Sequence, residues 1–328
     1  MRRLAPAFVT LFFVAGCAAR LAVPPSPVAA PSADAGAEAA LLARGGVDRA
    51  RLRCNAENRW GATIKPDSQA GARDILELVG PRLAPMGDEA RGELAKKLAS
   101  LVMWRMVRAV LLEGDNNNFG VFALRGRSWT DAAGKERPVL VFRSGFTPDP
   151  DAEGSCFGSL LDAGGVRHVV NLFDGEIPAA DLVAAESRAA ARKNASYHTA
   201  TDDVAGGGYG PWRDQLRKHY DDPAARSEAM RAVARLVREQ ILHPDGAPSP
   251  RGNIHLHCGG GMHRTGMVAA VVERCVNGEP LSVVEDHYRR HVAWRDAQHP
   301  GGAEEGNLRF IRDFDCNLLQ ESAESVTN

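Results

Sequence analysis

An α/β fold is predicted for this chain, with a central, largely parallel sheet flanked by helices and an N-terminal helical extension. Two observations predict it. From about residue 138, short apolar strands alternate with amphipathic helical stretches, the pattern of βα units around a parallel sheet. At 253–276 a buried strand, a glycine-rich turn and an apolar helix follow one another without a gap. The bulk numbers agree: 25% charged and 44% apolar residues suit an ordinary globular protein. A net charge of -1, from 40 basic and 41 acidic residues, gives no electrostatic support for a nucleic-acid partner.

The amino terminus stands apart. Arg2 and Arg3 precede the apolar run Phe8–Val14 and the small residues Ala15-Gly16. This is the pattern of a secretory signal, too short to span a membrane. Val14-Ala15-Gly16-Cys17 resembles the lipobox of bacterial lipoproteins. That resemblance implies a signal over residues 1–17, lipidation at Cys17, and a chain anchored to the membrane and facing the periplasm or exterior. Residues 18–40 are mostly Ala, Pro, Ser, Val and Gly, and are expected to form a tether with no core of its own.

Residues 41–137 are expected to be a helical extension. Its clearest element starts at Asp88-Glu89 and runs to about Leu112. Leu94, Leu98, Leu101, Val102 and Met106 recur at spacings of three and four. Arg105 and Arg108 interrupt the apolar face, so it does not span a membrane. Asp115–Asn118 is a loop, and no chemistry is evident in the region.

The elements from 138 to 318 follow in order. Val139–Phe142 is a strand ending at Arg143-Ser144-Gly145, and Leu160-Leu161 lie on a short helix. Val166–Leu172 is a second strand, 178–193 an Ala-rich helix and Tyr197–Thr201 a third strand. Ser227–Leu242 places Met230, Val233, Leu236, Val237 and Ile241 on one helical face. Asn253–His257 is a buried strand, Thr265–Val276 an apolar helix, and Ser282–Glu285 a capping box for a further helix. Residues 319–328 are a tail.

The chemistry concentrates in His257-Cys258-Gly259-Gly260-Gly261-Met262-His263-Arg264-Thr265. A glycine-rich turn between a strand and a helix N-terminus converges backbone N–H groups and a positive dipole end on an anion. Arg264 can hold two phosphate oxygens with one planar fork. The same field favours ionisation of Cys258, giving a thiolate able to attack phosphorus. Thr265 can donate to that thiolate and ease its departure. His257 is expected to fix the loop. Gly259, Gly260, Gly261, Met262 and His263 are expected to line the bound phosphate.

These residues resemble the signature of the protein tyrosine phosphatase superfamily, most closely its dual-specificity and atypical branches. The resemblance covers about 138–318. Arg143-Ser144-Gly145 and Gly165–Leu172 are similar to that branch's opening segment and first core strand, and Glu285–His291 and Asn307–Phe314 to its closing helices. It implies a phosphatase acting on phosphate monoesters through a phosphocysteine, with no metal and no cofactor. It also implies an aspartic general acid on a loop after the third strand. Asp203 matches that position best. Asp214, in Trp212-Arg213-Asp214, and Asp202 are alternatives, because 205–222 looks like an insertion and moves the spacing from the family pattern. His263 could serve as donor only by pointing inward. The loop interior carries no Lys or Arg, which leans to a phosphoprotein or small monoester substrate. An inositol-phosphate (phytase-like) phosphatase, a catalytically weak phosphate-binding module, and sulfur transfer or arsenate reduction are the alternatives. Setting aside Cys17 and Cys258, the other cysteines, Cys54, Cys156, Cys275 and Cys316, allow two disulfides in any of three pairings, or free thiols.

Overall fold

The computed structural model describes residues 34–56, 68–114, 118–147, 149–152, 154–173, 180–199, 223–296 and 303–320. Cys17, Asp202, Asp203 and Asp214 lie outside them, as does Trp212.

Three helices come first: α1 (Asp34–Arg44), α2 (Ser68–Val79) and α3 (Asp88–Gly114). Strands β1 (Gly120–Thr130) and β2 (Glu136–Ser144) form a hairpin, followed by α4 (Cys156–Asp162), β3 (Val166–Asn171), α5 (Ala180–Arg192) and β4 (Ser196–Thr199). Helix α6 (Pro223–Leu236) passes into a wider π-helical turn, Val237–Leu242. Then come β5 (Asn253–His257), α7 (His263–Val271) with its own π-helical extension Val272–Val276, α8 (Leu281–Asp296) and α9 (Ala303–Asp313).

The five strands form one sheet in the order β1-β2-β5-β3-β4. β2, β5, β3 and β4 are mutually parallel, and β1 runs antiparallel on the edge. Alternation along the strands builds two cores. Val139, Val141, Val170, Ile254 and Leu256 face α6, α7, α8 and α9. Leu140, Phe142, Val166 and Val169 face α1, α4 and α5. Each such buried aliphatic side chain contributes about 1.5–3 kcal/mol. The α/β architecture with a mostly parallel, helix-flanked sheet is therefore as the sequence predicts.

Two expectations are corrected. Residues 41–137 are not helical throughout, since 120–130 is a strand of the central sheet and so the sheet begins before residue 138. Its hairpin closes at Asp131–Lys135, where the Asp131 carboxylate accepts from the amides of Ala133 and Lys135, both at 2.9 Å. The segment before it also joins the core. Helix α1 begins at Asp34, inside the expected tether, and Leu42, Val47, Leu52 and Cys54 are buried with Phe142 and Phe157. The second correction concerns Ser282. Helix α8 starts at Leu281, so Ser282 lies inside the first turn, and the Pro280 carbonyl accepts from the amides of Val283 and Val284 at 2.9 and 3.1 Å.

Of the three open pairings, the structure forms Cys54–Cys156 and Cys275–Cys316. The first ties the N-terminal segment to α4, and the second ties the end of α7's extension to the turn after α9. Among the described residues Cys258 is the one free cysteine.

Candidate active site

The parallel register brings three strand ends level, because Ser144 and Asn171 both pair with His257. Ligand sites of open α/β sheets form at such carboxyl edges. Cys258 follows directly, and the loop 259–262 leads into α7, whose first residue is His263. Backbone bonds brace the mouth: Leu172 donates to the His257 carbonyl at 2.7 Å, and Phe146 to the Gly259 carbonyl at 3.0 Å.

Close approach fixes the glycine at 261. Its φ is 66°, and a β-carbon there would lie 2.5 Å from the Ser144 carbonyl carbon and 2.6 Å from the Gly145 nitrogen. No rotamer relieves a clash with backbone, so only glycine fits.

Cys258 is buried, at 4% exposure. Burial alone would keep the thiol protonated. The Arg264 guanidinium, the Thr265 hydroxyl and amide, and the Gly261 amide outweigh it, and the thiol is held below its ordinary value. The Thr265 hydroxyl is itself buried and has no oxygen or nitrogen partner, which suits a donor to sulfur. Arg264 Nη1 donates to the Leu172 carbonyl at 2.8 Å, and its guanidinium carbon stands 5.3 Å over the Phe173 ring. Phe173 in turn meets Phe146 edge-on, with ring centroids 4.8 Å apart. Met262 is buried behind the loop, and His263 is partly exposed at the helix start.

Of the sequence-predicted residues, Gly261, Arg264 and Thr265 thus converge on Cys258, and Gly259, Gly260, Met262 and His263 lie in the same turn and helix start. Sequence reasoning gave no role to several others. Arg143, at the end of β2, is buried and donates from Nη2 to the Gly261 carbonyl at 2.8 Å. Burial lowers it to about 10, against the pull of Glu273, Cys258 and Tyr288, so it stays charged at neutral pH. Asn118 reaches the Gly260 carbonyl from the start of β1. The Arg-Ser-Gly tripeptide could have flagged Arg143; nothing local flags Asn118.

Beneath the loop lies a buried polar stack. His255 and His257 are parallel, with centroids 4.8 Å apart. Burial pushes His255 down to about 3, and His257 lies well below its ordinary value because of burial and the His255 ring. His255 Nε2 bonds Ser144 Oγ at 2.8 Å. His257 Nε2 lies 3.4 Å from Glu186 Oε2, to which the Tyr197 hydroxyl donates at 2.6 Å. Asn171 donates to that hydroxyl at 2.8 Å and accepts from the Phe173 amide at 2.8 Å. A hydrogen-bonded chain thus runs from Glu186 through Tyr197 and Asn171 to Phe173, the residue under Arg264, and His257 lies beside its Glu186 end.

Burial pushes the Glu186 carboxyl up to about 8 from an ordinary 4.5, with the Tyr197 hydroxyl opposing the rise. The folded protein thus keeps a proton that the unfolded chain releases between these two values. Its contribution to stability is full below 4.5 and is lost as pH rises through about 8. Glu186→Gln keeps the shape and the acceptor for Tyr197 but has no proton to lose. Denaturation measured between about pH 5 and 8 is expected to show the variant gaining on wild type as pH rises. A constant difference across that range would contradict this reading. His255 and His257 act in the opposite direction but are common to both proteins.

No protein-family profile and no curated protein sequence matches the chain. Among solved structures, the core catalytic domain of the PP-IP phosphatase SIW14 from S. cerevisiae, in complex with citrate, is similar with a TM-score of 0.35 and 16% identity, over 56% of this chain and 86% of that one. A structure of the Siw14 catalytic core gives a TM-score of 0.34 and 17% identity, again over 56% of this chain and 86% of that one.

Proposed function

We propose that the protein is a cysteine-dependent phosphatase that hydrolyses phosphate monoesters through a phosphocysteine intermediate. One observation carries the proposal: the free thiol of Cys258, which burial alone would keep neutral, is held toward the thiolate by Arg264, Thr265 and the loop amides. In the first step the Cys258 sulfur bonds to phosphorus as the ester P–O bond breaks, and an acid protonates the leaving oxygen. In the second, water attacks phosphorus, gives up a proton to the conjugate base, and the S–P bond breaks to return the thiolate. Arg264 and the loop amides hold the phosphoryl oxygens, where charge develops. The Thr265 hydroxyl stabilises the departing thiolate.

Reduction of an oxyanion such as arsenate fits less well. It needs two electrons, and hence a second thiol to complete the exchange. The four other described cysteines are already paired with each other. A phosphotyrosyl protein or small aryl monoester is the substrate class we favour, since Gly259–His263 offers no Lys or Arg to additional phosphates.

The test is a panel of aryl phosphates of graded leaving-group pKa, a phosphotyrosyl peptide and an inositol polyphosphate, assayed with wild type, Asp203→Asn and Asp214→Asn. Asp203→Asn is expected to slow poor leaving groups by roughly 10²–10⁴-fold and good ones far less. The same change should flatten the alkaline limb of the pH–rate profile, where the acid loses its proton. If Asp214→Asn shows that pattern instead, the insertion has moved the acid. Preference for the inositol polyphosphate would overturn the substrate class, and no turnover of any ester would overturn the enzyme.

A further inference from the structure

Three consecutive carbonyls of the loop are held from outside by donors on three separate backbone positions. Gly259 O accepts from the Phe146 amide at 3.0 Å. Gly260 O accepts from Asn118 Nδ2 at 3.3 Å, and Gly261 O from Arg143 Nη2 at 2.8 Å. In a planar trans peptide the carbonyl of one residue and the N–H of the next point in opposite directions. Holding these carbonyls outward therefore turns the amides of Gly260, Gly261 and Met262 inward. The Gly261 amide does meet the Cys258 sulfur.

Asn118 is built for this place. It is 2% exposed and adopts a left-handed φ of 47°, which Asn tolerates better than most residues. Its Nδ2 also reaches the His291 carbonyl at 3.3 Å, and its Oδ1 faces His291 Nδ1 at 2.9 Å. Two carbonyls on one side demand the amide nitrogen there, so the orientation of the group is fixed by its partners. The following residue, Phe119, donates to the Asn55 carbonyl at 2.8 Å, beside the Cys54–Cys156 disulfide. A segment far from the loop in sequence thus reaches it through one side chain.

We propose that Asn118 and Arg143 are positioning residues for anion binding: by holding the Gly260 and Gly261 carbonyls, they aim the Gly261 and Met262 amides at the bound phosphoryl group. This rests on the phosphatase reading of the site and extends the site to the N-terminal segment. Neither residue touches the phosphate itself.

The test uses the full chain with inorganic phosphate as probe. Phosphate affinity is read from protection of Cys258 against alkylation, and thiol ionisation from the pH dependence of alkylation without phosphate. Asn118→Asp keeps the shape and the acceptor toward His291 Nδ1 but cannot donate to the Gly260 and His291 carbonyls; Asn118→Gly keeps the backbone conformation and loses all three side-chain contacts. Each is expected to weaken phosphate protection by about 5–10-fold and to move the alkylation midpoint to higher pH. A purely structural role would lower thermal stability and leave both readouts unmoved in the folded state. Amide proton shifts in wild type provide a measurement independent of any variant: phosphate should move Gly260, Gly261 and Met262 downfield. Phosphate that binds without moving these amides, or folded variants matching wild type in affinity and alkylation midpoint, would overturn the proposal alone. Wild-type protein that neither binds phosphate nor turns over an aryl phosphate would remove the phosphatase reading and the proposal together.

Discussion

Replacing Cys258 with Ser is expected to end turnover while phosphate binding survives. The substitution changes one atom in a site whose remaining groups are held by other contacts. Arg264 stays on the Leu172 carbonyl, and Arg143 stays on the Gly261 carbonyl. The anion should still find its amides and its guanidinium. What disappears is the nucleophile, because a serine hydroxyl does not ionise under the field that ionises a thiol. The expected loss is on the order of 10⁶-fold, or to the detection limit. Steady-state hydrolysis of an aryl phosphate checks turnover, and phosphate titration of the variant checks binding. Turnover within tenfold of wild type would mean that another group attacks phosphorus.

Arg264→Lys is expected to cost roughly 10²–10³-fold in kcat/KM. Arg264 does two jobs with one planar group. Nη1 is bonded to the Leu172 carbonyl and the guanidinium lies over the Phe173 ring, which together set the direction of the fork. A lysine ammonium is a single point of charge on a flexible stem. It cannot satisfy the Leu172 carbonyl and hold two phosphoryl oxygens at once. Because the positive charge remains, the pH midpoint for Cys258 alkylation should move less than kcat/KM falls. The paired measurements separate geometry from charge. A kcat/KM within a few-fold of wild type would place Arg264 outside the reacting site.

The parts of the site legible in the sequence are the contiguous ones. Strand β5, the glycine turn and α7 follow one another, so residue types and spacing alone place Cys258, Arg264 and Thr265 around one anion. The central strands were legible from short apolar stretches: Val139–Phe142 in β2, Val169-Val170 in β3, and Ile254 and Leu256 alternating with polar residues in β5. β1 was not. Its pairing with β2 shifts register between Ala123 and Ser128, and Gly126 within that stretch has a φ of 72°. Such a bulge breaks the period of two that marks a strand, and the exposed Arg125 adds nothing apolar.

The supports of the loop were hidden by distance along the chain. Asn118 lies 142 residues before the carbonyl it holds. Glu186 belongs to a helix whose Ala-rich pattern gives no hint that a carboxyl points under His257. Phe173 follows β3 as one more apolar residue, and its value is its position over Arg264. The disulfide pairing was equally hidden, because Cys54 and Cys156 are brought together only by the packing of the N-terminal segment on α4.

The proposed mechanism is covalent, with the phosphoryl group passing through the Cys258 sulfur. Acid quenching during turnover of an aryl phosphate, followed by mass analysis of the peptide spanning 257–264, tests it most directly. A fraction of that peptide is expected to be heavier by one phosphoryl group, with the modification on Cys258 and absent from Cys258→Ser. Asp203→Asn is expected to enlarge this fraction with a good leaving group, since formation continues while hydrolysis slows. Active enzyme quenched on a rapid time scale with phosphate on no residue of that peptide, or on a different side chain, would contradict it.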